Sequence, residues 1–132
     1  MVGSCEHTFA VTSDGSAVIR LRRAIATRNT FLIRTTAAEL PRVDLGDALA
    51  IALVLLDVEP ERYGRAAARW HARFCLEVKG IDLHESGTVL ALLGGLNGRT
   101  QIAAAQALAC VCETHGLRAA VRAIDDWLAP RE

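Results

Sequence analysis

Arg62, Arg65, Arg69 and Arg73 stand at i, i+3, i+7 and i+11, a spacing that lines four side chains along one side of a helix. A guanidinium is a planar fork of donors that grips carboxylate or phosphate oxygens two at a time. Such a row can hold an acidic protein partner or a nucleic-acid backbone. Arg20 and Arg23 belong to a second basic stretch, residues 16–42, in which Glu39 is the only acid. Between the two stretches, residues 44–61 carry Asp44, Asp47, Asp57, Glu59 and Glu61 and no base. The plainer reading is that the stripe pairs with these acids and solvates an Ala-rich helix. No phosphate-cradling loop accompanies it, because Gly94-Gly95 is not followed by Lys and a hydroxyl residue.

Histidine and cysteine offer a second chemistry. His71 and Cys75 stand at i, i+4, and Cys112 and His115 at i, i+3. Two helices carrying these pairs side by side would present four ligands to a tetrahedral zinc ion. The spacing matches no common zinc motif, and a Cys on an apolar helix face is ordinarily a small buried hydrophobe. Nucleophilic use of a thiol needs a nearby base and an orienting group. His71 with Cys75, or Cys110 with His115, could supply two of the three; Cys5 and His7 lie in an arm with no fixed base. Glu59/Glu61 and Asp125/Asp126 fit solvated helix ends. The sequence therefore reads as non-catalytic and calls for no cofactor.

The elements that position these residues follow from composition and punctuation. The chain has 132 residues, with 15 basic and 15 acidic side chains, and 52% of it is hydrophobic. That suffices for one core without disulfides or metal and excludes disorder over most of the length. Zero formal charge argues against a bulk nucleic-acid binder. Lys79 is the single Lys beside fourteen Arg, a bias of GC-rich genomes. The longest apolar run, Ala48 to Leu56, falls far short of the ~20 residues of a membrane span. No secretory pattern opens the chain, so the four Cys are expected as reduced thiols in a cytoplasmic protein.

Residues 1–14 read as a flexible or extended arm and 15–130 as a single helical domain. The first helix starts after Asp14 or Ser16 and turns Val18, Leu21, Ile25 and Arg28 to one side. A second opens at Asn29 or Thr30 with Phe31, Leu32, Thr35 and Ala38 together, and ends at Pro41. Asp44 caps a third, apolar nearly all round and hence central. Pro60 starts a fourth at the position where its missing N–H costs nothing. Asp82 caps a fifth that ends in the turn Gly94 to Gly98. Thr100 begins a sixth, Gly116 ends it, and Leu117 to Leu128 make a seventh. The expectation is an all-α, irregular bundle of six to seven short helices. A 36-residue echo between Cys75-Leu76-Glu77…Gly80 and Cys112-Glu113…Gly116 leaves helix-pair, solenoid-like packing as the alternative.

Ala38-Glu39-Leu40-Pro41, Asp47-Ala48-Leu49, Glu59-Pro60-Glu61-Arg62-Tyr63 and Arg69-Trp70-His71-Ala72-Arg73-Phe74 give residues 16–128 a further character. Over that span the chain resembles small all-α proteins of GC-rich, actinobacterial-type genomes to which no activity attaches. The resemblance implies a bacterial helical domain and adds no chemistry. The expected function is a non-catalytic helical protein-interaction domain, as a monomer or a homodimer. It would use the Arg-rich face of helices one and four, with Arg20, Arg23, Arg62, Arg65, Arg69 and Arg73, or an apolar strip exposed on helix four or seven. The alternative is nucleic-acid or acidic-partner binding through the same arginines, and no membrane is involved.

Overall fold

In a computed structural model, residues 15–132 are described, and they fold as seven α-helices and a closing 3₁₀ turn, with no strand among the described residues. The all-α expectation is met. The predicted N-terminal arm, with Cys5, His7 and the candidate cap Asp14, lies outside the described residues. None of the described helices is long and apolar enough to cross a membrane. The chain forms two compact units, Met1–Val43 and Asp44–Glu132.

The first unit contains α1 (residues 15–26) and α2 (Thr30–Glu39). Ala17, Leu21 and Ala24 are the buried positions of α1, and Ser16 lies inside this helix rather than capping it. Arg28 leaves the helical face expected for it and takes φ +58° in the connecting turn. There the N–H of Arg28 donates to Ile25 O and that of Asn29 to Ala24 O, closing a Schellman cap around a left-handed arginine. Asn29 Oδ1 then caps α2 by accepting from Leu32 N at 3.1 Å. The side expected to be buried on α2 is wrong: Phe31 is 68% exposed, Leu32, Thr35 and Ala38 are also exposed, and Ile33 and Thr36 are buried instead. Thr36 can go inside because its hydroxyl donates to Leu32 O, leaving only its methyl group to the interior. An Arg20–Glu39 ion pair of 2.7 Å joins the two helices at the surface.

The second unit holds α3 (Leu45–Val58), α4 (Pro60–Glu77), α5 (Leu83–Gly95), α6 (Gln101–Thr114), α7 (Arg118–Leu128) and the turn Ala129–Arg131. Asp44 and Asp82 cap α3 and α5 by accepting from Asp47 N and Glu85 N, each at 2.8 Å. Gly116, at φ +70°, ends α6 in a second Schellman cap, with Leu117 N donating to Cys112 O and Gly116 N to Glu113 O. Each helix packs on its neighbour in sequence, and α3 also packs on α7, so the five close into a ring. A helix-pair solenoid stays open, with its first helix far from its last, so the repeat alternative does not describe this unit.

Leu49, Leu53, Trp70, Phe74, Leu93, Leu108 and Ile124 fill the ring. Three polar ties span it. Tyr63 Oη donates to Leu93 O at 2.6 Å, Trp70 Nε1 to Leu45 O at 2.8 Å, and Trp127 Nε1 to Asp57 Oδ2 at 3.1 Å. Arg131 completes the last of these, pairing with Asp57 at 2.5 Å and lying over the Trp127 ring at 3.8 Å from its centroid. Where the ring closes, Gly46 lets α3 touch α7; a Cβ there would stand 2.4 Å from Ala119 Cβ and 2.9 Å from its backbone carbon.

Candidate functional site

On α4 the buried side is Tyr63, Ala67, Trp70 and Phe74, as the spacing predicts. The arginine stripe runs along the outside of the same helix. Its two ends are neutralised by acids of their own helix or its cap: Arg62 pairs with Glu59 at 3.2 Å, and Arg73 with Glu77 at 2.7 Å. Its middle is not. Arg65 and Arg69 are exposed, and no ion pair or hydrogen bond engages either side chain among the described residues. The acidic block contributes Glu59 to the stripe, while Asp57 is committed to Arg131 and Trp127. Arg20 and Arg23 are both exposed in the first unit, where Arg20 is held by Glu39.

One turn beyond Arg73, Leu76 is 85% exposed. Arg65, Arg69, Ala72 and Leu76 fall at i, i+4, i+7 and i+11, so two cations and two apolar residues share one line on the surface. Leu76 is the only large apolar side chain exposed on α4 among the described residues, and α7 exposes none. The apolar strip expected on helix four or seven is thus a single leucine.

The larger uncharged surface lies elsewhere. Between Ser86 and Cys112, Arg99 is the one charged residue. The exposed residues of α5 are Leu83, His84, Gly87, Thr88, Leu90, Ala91 and Gly94; those of α6 are Ile102, Ala103, Gln106, Ala107, Cys110, Glu113 and Thr114. Leu83 is 90% exposed, and a Cβ added at Gly87 or Gly94 would meet nothing within 4 Å. Sequence reasoning overlooked this surface because it sought charged or aromatic residues, whereas the signal was a 27-residue stretch with almost none.

The histidine and cysteine candidates separate into two small polar contacts and one sealed thiol. His71 Nε2 lies 2.8 Å from Ser86 O, 3.3 Å from Ser86 Oγ and 3.6 Å from Cys75 Sγ. A carbonyl oxygen only accepts, so Nε2 carries the proton and offers Cys75 no lone pair with which to take one. His115 Nε2 donates to Glu85 Oε1 at 2.9 Å, and its ring stands edge-on to Phe74 with centroids 6.0 Å apart. Cys112 is fully buried, and loss of water pushes its thiol up to about 12. Among the described residues no three His, Cys, Asp or Glu side chains converge as a metal ion would require, so His71, Cys75, Cys112 and His115 do not form a four-ligand site. Cys75, Cys110 and Cys112 are all free thiols, and Cys110 is the exposed one.

Comparison with known proteins found no family model that matches the chain, and no similar curated protein or solved structure.

Proposed function

We propose that the protein is a cytoplasmic, non-catalytic helical interaction domain that pairs with a second copy of itself through the outer faces of α5 and α6. The observation that carries this reading is how little charge those faces hold: Glu113 at the end of α6 and Glu132, which accepts from Gln106 at 3.4 Å, stand at their margin. From Ile102 to Cys112, α6 carries no charge and one polar side chain, Gln106, yet its main packing is on α5 and α7 and it leaves Ala103, Ala107 and Cys110 in water. An apolar face with few charges can be its own complement across a two-fold axis, where the same patch of both copies meets. The rest of the ring is laced with charge, including the Arg row of α4 and Arg118, Arg122, Asp125 and Asp126 on α7.

Size sets the expected strength. Two helices of this length cover a face about 20 Å long and about 20 Å wide, on the order of 400 Å² in projection. A face of that size is small beside the ~800 Å² of accessible surface per partner in a standard interface, which fits a reversible dimer rather than an obligate one. Light scattering across protein concentration, at low and high salt, tests it. A concentration-dependent dimer that survives high salt is the expected result. A monomer at every concentration, or a dimer that high salt dissolves, would reject the pairing. Cys110 adds a direct probe: in a Cys5→Ser background a thiol crosslinker should join copies through Cys110, while the double variant Cys5→Ser/Cys110→Ser stays uncrosslinked.

A further inference from the structure

We infer that the exposed line Arg65–Arg69–Ala72–Leu76 on α4 is a docking surface for an acidic amphipathic helix of another protein. The first ground is electrostatic. Of the four arginines in the stripe, the end pair are neutralised by Glu59 and Glu77, and the middle pair are left open one turn apart. Like charges at i, i+4 repel, and Glu61, one turn before Arg65, makes no ion pair with it among the described residues. Two open guanidinium forks at this spacing match two carboxylates one turn apart on a facing helix.

The second ground is Leu76, 85% exposed and two turns beyond Arg69 on the same line. With Ala72 between them, the surface runs from cationic to apolar over about three turns, so its complement carries carboxylates at one end and an aliphatic side chain at the other. A nucleic-acid backbone fits less well. It is uniformly anionic and has no use for the leucine, and two open cations would neutralise only about two phosphates. A helix of acidic, amphipathic pattern uses all four positions.

This surface is separate from the α5–α6 faces, so the two proposals fail independently. The test is fluorescence anisotropy with a labelled, capped helical peptide carrying two Glu one turn apart and a Leu two turns further on. It is made in both sequence orders, each beside a twin with Gln for Glu. The Glu peptide should bind about tenfold more tightly than its twin. The double variant R65Q/R69Q should bring both peptides to the same level, and Leu76→Ser should weaken the Glu peptide several-fold. Because these side chains are exposed, the variants keep the far-ultraviolet circular dichroism of the parent. Ala107→Glu, a substitution on the outer face of α6, should bind the peptide as the parent does. Equal affinity for Glu and Gln peptides, or no binding of either, would overturn the proposal. So would binding of a random-sequence DNA duplex that R65Q/R69Q abolishes while the peptide goes unbound.

Discussion

Helices α4 and α6 pack their inner sides into the same ring and differ in what they turn outward. α4 shows water a row of arginines that ends in one leucine; α6 shows it an isoleucine, alanines, a glutamine and a cysteine, with a single acid, Glu113, at its end. Each helix is held by its own inner side, Tyr63, Trp70 and Phe74 in one and Ala105, Leu108 and Cys112 in the other. The outer side is therefore free to carry recognition. The contrast teaches that one core can carry two unlike surfaces, one rich in charge and one poor in it.

Both surfaces depend on the closed ring, so the largest expected effect comes from opening it. Gly46→Ala forces a methyl group into Ala119 and its backbone, which cannot yield as a flexible side chain would. The expected loss is about 3 kcal/mol, read by chemical denaturation. The same change at Gly64, helical and with nothing near its Cβ, should stabilise by about 0.5–1 kcal/mol. Equal effects at the two glycines would mean that α3 and α7 do not close the ring.

Next in size is a charge placed on either face. At the proposed two-fold contact, Ala107→Glu would put like charges together and should raise the dimer dissociation constant at least tenfold, or about 1.4 kcal/mol. Arg69→Glu should leave dimerisation unchanged. If Arg69→Glu also dissolves the dimer, the two faces are not separate.

An alkaline titration sharpens the comparison, because each helix buries one ionisable group. Burial raises Tyr63 from 10.0 to about 12 and Cys112 from 9.0 to about 12. Raised values mean that the folded state holds these protons longer than the unfolded chain. Stability from both groups is thus complete below about pH 9 and is lost as pH climbs through 10 toward 12. Tyr63→Phe should flatten the decline above pH 10, and Cys112→Val the part that begins near 9. At neutral pH Tyr63→Phe should still cost about 1 kcal/mol, since its hydroxyl caps Leu93 O in the last turn of α5. Unchanged alkaline melting in both variants would place the loss in other groups.

What could be read from the sequence was local. Asn29, Asp44 and Asp82 announced their helix starts, Pro60 the first residue of α4, and Gly116 the end of α6, because each acts on backbone within five residues of itself. The arginine spacing was equally plain. Which arginines stay open was not, because that depends on where Glu59 and Glu77 point. Asp57, Trp127 and Arg131 come together from opposite ends of the second unit, and nothing in the neighbourhood of any of them signals the others. The face of α2 was misread for a related reason: ten residues with apolar side chains on several sides support more than one burial pattern.

The two Schellman caps supply a smaller contrast. Gly116 adopts its left-handed φ without cost, whereas Arg28 does so with a Cβ. Arg28→Gly should therefore stabilise by about 0.5–1 kcal/mol, and Gly116→Ala should destabilise by at least as much. Similar effects of one sign at both sites would remove backbone strain as the cause.

The smallest expected effect bears on why Arg65 and Arg69 are left open. Arg69→Glu replaces a repulsive i, i+4 contact with Arg65 by an attractive one, and places a carboxylate one turn before Arg73. The folded protein should gain about 0.3–0.5 kcal/mol, a shift that replicate denaturation curves at low salt resolve and high salt diminishes. The same substitution should abolish binding of the acidic peptide. A variant that is slightly more stable and no longer binds is what a surface kept for recognition predicts. A variant that loses stability would mean that Arg69 is held by contacts within the fold, and the open middle of the stripe would no longer set α4 apart from α6.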